Sequence, residues 1–84
     1  MITGYVQGVG FRASCRWRAR EIGGITGYVK NLYNGDVEVV AEGEETKLTQ
    51  LIEWCKRGPI GSKVDKVDII WEDPKGDFKD FKIF

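Results

Sequence analysis

The chain contains no histidine, and this absence excludes more chemistry than any residue present suggests. Without an imidazole, zinc and haem sites lose a principal ligand, and Ser–His or Cys–His catalysis loses its base. Cysteine is scarce as well: Cys15 and Cys55 show neither metal-type spacing nor a CxxC pairing. No apolar run approaches the roughly 20 residues of a membrane-spanning helix. The N-terminus lacks the apolar stretch of a secretory signal, so a soluble cytoplasmic protein is the expectation. Net charge is also missing, because 13 basic and 13 acidic side chains cancel. The global field therefore gives no push toward nucleic acid or an anionic membrane, and any anion site must be local.

What remains is a globular composition in 84 residues, 42% apolar and 12% aromatic, enough for one domain with a modest core. Ile2 to Val6 reads as a short strand. Phe11, Cys15, Ala19 and Ile22 recur at helical spacing, with Arg12, Arg16 and Arg20 on a neighbouring stripe, and Gly23-Gly24 ends that helix. Ile25 to Leu32 and Asp36 to Glu42 are strand-like, with Asn34-Gly35 as a two-residue hairpin signal. A second helix follows Glu44-Glu45, runs through Leu48, Leu51, Ile52 and Cys55, and stops near Lys56-Arg57-Gly58-Pro59. Val67, Ile69 and Trp71 alternate with Lys66, Asp68 and Glu72 as a half-buried strand. Pro74-Lys75-Gly76 turns the chain into a last strand at Phe81 and Ile83. The order βαββαβ with a small extra strand predicts a two-layer α+β sandwich, an antiparallel sheet of four to five strands with both helices on one face.

The segment between the first strand and first helix, Gly4-Tyr-Val-Gln-Gly-Val-Gly-Phe-Arg12, holds three glycines and an arginine. Such a turn permits φ > 0, and its successive amides form a concave nest for an anion, reinforced by the helix N-terminus. Arg12 adds a five-donor guanidinium matched to phosphate geometry. This segment resembles the signature of the acylphosphatases, which hydrolyse the carboxyl–phosphate bond of acyl phosphates. The likeness continues through Ala19, Gly27-Tyr28-Val29-Lys30-Asn31, Asn34-Gly35-Asp36-Val37-Glu38-Val39 and Ala41-Glu42-Gly43. Gly58-Pro59 and Phe81-Lys82-Ile83 match later landmarks, so the resemblance spans residues 1–84 as one acylphosphatase-like domain. It implies a ferredoxin-like architecture. Two departures stand out: the first strand starts late and is shortened, and one extra residue stands around Gly23-Gly24.

The resemblance assigns phosphate binding to Gln7, Gly8, Val9, Gly10, Phe11 and Arg12, and water positioning to Asn31, making Arg12 and Asn31 the catalytic pair. The residues themselves suit this chemistry. The leaving carboxylate belongs to an acid of pKa near ~4 and needs no protonation on departure. The reaction needs charge stabilisation on the phosphoryl oxygens and an aligned water. No metal or cofactor is expected, and the expected partners are a small acyl phosphate and inorganic phosphate, with no nucleic acid, no membrane and a monomeric state. Two alternatives remain. One is a non-catalytic or accessory module of a larger enzyme that handles acyl phosphates; the other is an RNA-binding domain, disfavoured by zero net charge and the lack of an aromatic RNA-binding strand motif. Arg16, Arg18 and Arg20 are expected on an exposed face balanced by Glu21, Glu44 and Glu45. Trp17, Trp54 and Trp71 are expected in packing. Cys15 and Cys55 fall near the same end of the sandwich, as two buried thiols or, alternatively, a disulfide.

Overall fold

The computed structural model describes residues 1–73 and 75–84. Its elements are β1 (Ile2–Tyr5), α1 (Phe11–Ile22), β2 (Thr26–Asn31), β3 (Val37–Glu42), α2 (Glu45–Arg57), β4 (Lys63–Val67) and β5 (Phe81–Ile83). The sheet order is β4-β1-β3-β2-β5. α1 lies against β2 and β5, α2 against β4, and the helices touch each other. This is the ferredoxin-like α+β sandwich expected from the order of elements.

The helices form where the apolar stripes fall. Phe11, Cys15 and Ala19 of α1, four residues apart and therefore on one face, are fully buried. Gly23 closes the helix, its N–H donating to the Ala19 carbonyl. In α2 the buried residues are Leu51 and Cys55, Glu45 sits in the first turn, and Lys56 and Arg57 sit in the last, matching the helix dipole at both ends. The strands deliver Ile2, Val6, Val29, Val37 and Phe81 to the same core, and no buried polar side chain interrupts it. Burying a side chain such as Phe11 or Ile2 is worth about 1.5–3 kcal/mol. Cys15 and Cys55 are free thiols inside this core. A hydrogen bond with Cys55, together with burial, pushes the Cys15 thiol up from its usual range.

Three features differ from the sequence expectation. First, the sheet is mixed. β2 pairs with β3 antiparallel but with β5 parallel, because the segment after β4 crosses to the far edge of the sheet and enters it running with β2. Second, the fourth strand is Lys63–Val67, ending where the expected one begins. Its partner β1 starts at the chain's first residues, and the register stops at Ile2↔Val67, so Ile69 and Trp71 stay exposed outside the ladder. Third, Trp17 is 64% exposed and Trp71 57%, so of the three tryptophans only Trp54 packs, tilted on Phe11 at 5.3 Å. The turn expected at Pro74–Gly76 includes Pro74, which lies outside the described residues.

Candidate active site

The turn between β1 and α1 owes its shape to alternating handedness. Gly8 and Gly10 have φ of 75° and 76°, while no residue other than glycine has positive φ, so Val9 between them is ordinary. Alternation of this kind turns successive N–H groups toward one side. A Cβ added at either glycine would meet nothing within 4 Å, so glycine is required here by backbone conformation and not by crowding. Gly10 is also the N-cap of α1, with no side-chain cap and no acidic residue in the first turn. The helix's first amides therefore lack an internal anionic partner, which leaves them available to an external one.

Residues of this turn and of β2 come together in one small cavity. It measures about 180 Å³ and is lined by Val6, Gly8, Gly10, Phe11, Arg12, Ala13, Asn31 and Ile83. Asn31 ends β2 on the same face as Val29, whose side chain is buried under the helices, so its carboxamide emerges beneath the start of α1. Arg12 follows buried Phe11 in the first turn of α1 and is itself half-buried. Its Nη1 donates to the main-chain oxygen of Phe84 at 3.0 Å, and the Phe84 N–H in turn donates to the Val29 carbonyl at 2.9 Å. The guanidinium is thereby tied to the strand that ends in Asn31. A wider groove of about 570 Å³ runs between the helices, lined by Arg18, Thr49, Gln50, Glu53, Trp54, Lys56 and Arg57. Its side chains are solvated and partly ion-paired, and it has no left-handed turn. The smaller cavity is the one with converging donors.

Of the residues singled out in the sequence, Gly8, Gly10, Phe11, Arg12 and Asn31 line the cavity, whereas Gln7 and Val9 do not. Gln7 has a different task for its side chain. Its Nε2 donates to the carbonyls of Leu32 at 2.7 Å and Asp36 at 2.9 Å. Leu32 and Asp36 are the two residues that close the β2–β3 hairpin, through the Leu32 N–H and the Asp36 carbonyl at 2.9 Å. The loop inside that closure is Tyr33-Asn34-Gly35, three residues and not the expected two, completed by the Asn34 Oδ1 accepting from the Asp36 N–H at 3.0 Å. Gln7 thus staples the anion turn to the hairpin that carries Asn31. No local pattern marks this role, since the partners lie 25 and 29 positions away. The arginine stripe likewise pairs differently from the expected set. Arg18 meets Glu21, while Arg20 donates to the Asp80 carboxylate at 2.9 Å.

Fold and site together define a class: small two-layer α+β sandwiches carrying an anion cradle at the turn from the first strand to the first helix. The acylphosphatase family model matches residues 1–83. A protein named acylphosphatase from Caldanaerobacter subterraneus subsp. tengcongensis is 51% identical over 99% of this chain and 91% of its own length. The crystal structure of acylphosphatase from Bacillus subtilis superposes with a TM-score of 0.93 at 35% identity, covering 99% of this chain and 91% of that one. The chain therefore belongs to the acylphosphatase family, a family of hydrolases. The same fold is found within a longer protein: the crystal structure of T. kodakarensis HypF matches with a TM-score of 0.83 at 33% identity, over 99% of this chain and 11% of that one. No helix among the described residues is long and apolar enough to cross a membrane.

Proposed function

We propose that this protein hydrolyses the carboxyl–phosphate bond of acyl phosphates to a carboxylate and inorganic phosphate, acting as a one-domain cytoplasmic monomer. The phosphoryl group sits in the turn from Gln7 to Arg12, held by main-chain N–H groups from Gly8 onward and by the Arg12 guanidinium. Asn31 orients the attacking water, its amide offering both an acceptor and donors. The observation that supports this reading above others is that Gly8, Gly10, Arg12 and Asn31 line one cavity at an uncapped helix N-terminus.

The chemistry asks little else of the protein. A carboxylate leaves without general-acid help, so fixed donors aimed at the phosphoryl oxygens and an aligned water account for catalysis. With no histidine in the chain, the water's proton passes to the bound phosphate itself. The cavity is small beside the roughly 300–1,000 Å³ of sites for drug-sized ligands, so it reads the phosphoryl group and leaves the acyl chain in solvent. Broad tolerance of the acyl group follows.

The test is hydrolysis of benzoyl phosphate by the folded protein in EDTA, with inorganic phosphate as a competitive inhibitor. Turnover above the spontaneous rate is expected. A rate no greater than spontaneous in a folded sample refutes the proposal. That outcome instead favours an accessory module, the reading supported by the match to a minor part of HypF.

A further inference from the structure

The sheet contains an open lane in line with β1. β1 pairs with β3 at Ile2↔Val37 and with β4 at Ile2↔Val67. The β4 side continues for one more residue, where the Asp68 N–H donates to the Met1 carbonyl and the Met1 ammonium donates to the Asp68 carbonyl at 3.0 Å. β3, however, runs on to Glu42, fully paired with β2 on its other edge. Continuing both antiparallel registers places residues 38–42 and 68–72 on either side of a lane about five residues long. Two strands flanking one missing strand lie roughly 9.6 Å apart. The chain bridges such a gap at the far end: the Lys75 and Gly76 N–H groups donate to the Glu42 carboxylate at 2.8 and 3.2 Å.

The side chains along the lane specify what fits it. Val37 and Val67 face the helices, so by alternation the next inward positions are Val39 with Ile69, then Ala41 with Trp71. Val39, Ala41 and Leu48 of α2 are only half-buried, although they border the core. Ile69 and Trp71 are exposed. On the outward face the flanking residues are Glu38 with Asp68, Val40 with Ile70, and Glu42 with Glu72. Four carboxylates therefore border the outward face, while the Met1 ammonium closes one end of the lane.

We propose that this lane is a β-augmentation site for an extended peptide running in the direction of β1. The peptide presents apolar side chains at alternate positions toward the helices, a basic side chain between Glu42 and Glu72, and a free C-terminal carboxylate against the Met1 ammonium. Main-chain hydrogen bonding to two edges supplies affinity, and the alternate pockets supply specificity. Binding here is separate from the cavity of Arg12 and Asn31, which lies at the other end of β1.

A suitable probe is the peptide Lys-Arg-Val-Thr-Val with a free C-terminus, titrated calorimetrically and followed by amide hydrogen exchange. Saturable binding with new protection confined to residues 38–42 and 68–72 is expected. Amidating the peptide's C-terminus should weaken binding about threefold, the scale of one exposed ion pair. Ile69→Asp and Trp71→Asp alter exposed side chains, so the variants should stay folded and hydrolyse benzoyl phosphate at the wild-type rate while binding the probe about tenfold more weakly or worse. Fusing the same five residues ahead of Met1 should fill the lane and abolish capture of free peptide. Absence of the protection, or equal binding of the scrambled peptide Val-Val-Lys-Thr-Arg, overturns the proposal. So does sedimentation showing a dimer that the probe does not dissociate, which assigns the lane to a second copy.

Discussion

At its C-terminal end β1 runs into a turn whose shape is determined from several directions at once: two left-handed glycines, the buried Phe11 that begins α1, and the Gln7 carboxamide bonded across to the hairpin. At its N-terminal end the same strand has one ladder pair with β3, and beyond Asp68 the chain continues through exposed Ile69, Ile70 and Trp71. The two ends share a sheet and a core, yet one is constrained and the other open. The difference shows where precision is held in this fold. Catalysis by fixed dipoles depends on donors that do not reorganise, and the constrained end is the one that carries them.

The largest expected effect is at the constrained end. Arg12→Ala should lower kcat/KM by about 10²–10³, the scale of losing one charge-stabilising donor, and should abolish competitive inhibition by phosphate. Asn31→Ala should reduce turnover while leaving phosphate inhibition largely intact, and steady-state assays of the two variants side by side separate the roles. Persistent phosphate inhibition after Arg12→Ala would mean that the guanidinium does not hold the anion.

Gln7→Ala tests the staple. It leaves the Leu32 and Asp36 carbonyls without their shared side-chain donor, at a cost of about 1–3 kcal/mol. The expected signature is a lower urea midpoint with an unchanged slope, accompanied by a drop in kcat as Asn31 loses its fixed place. Loss of stability with kcat unchanged would show that the hairpin keeps its position without Gln7.

At the open end a substitution should do almost nothing. Ile70 is 83% exposed, and Ile70→Ser should change stability by no more than about 0.5 kcal/mol, measured by the same urea titration. A cost several times larger would mean that this segment is packed in solution, and the contrast between the ends would disappear.

The smallest effect concerns the surface ion pair that joins α1 to the start of β5. The Phe81 N–H, with Arg20 beside it, holds the Asp80 carboxyl below its usual value. A group whose pKa is lowered on folding contributes stability above its unfolded pKa and loses it as pH falls through the folded one. Asp80→Asn should therefore flatten the acid limb of a Tm-against-pH profile and leave neutral pH little changed, since the pair is exposed. An unaltered acid limb would show that Asp80 contributes nothing there.

Much of the molecule was legible in one dimension because the informative patterns are short. Phe11, Cys15 and Ala19 mark a buried helical face within nine positions, and Gly23 and Gly58 mark both helix ends. The glycines before Arg12 announce a left-handed turn, since no other residue in the chain takes positive φ. The strand at Val67 to Trp71 was misplaced for the opposite reason. Its alternation of apolar and polar residues is genuine, but a strand exists only where a partner meets it, and β1 meets residues 63 to 67. Trp17 and Trp71 show the same limit, because aromatic identity does not say whether an element packs over them.

Local conformational preference, acting through the glycines, the helical stripe and the hairpin residues, was enough to determine the elements and the chemistry held at residues 8 to 12. Only tertiary structure decided which atoms meet: the Gln7 carboxamide at the hairpin, the Arg12 guanidinium at Phe84, β5 beside β2 in parallel, and a lane left open between β3 and the segment after β4. The physical reason is that backbone torsions are set by a few neighbouring residues. Hydrogen-bond partners and strand register are set by the summed packing of segments far apart in the chain, and no local pattern encodes that sum.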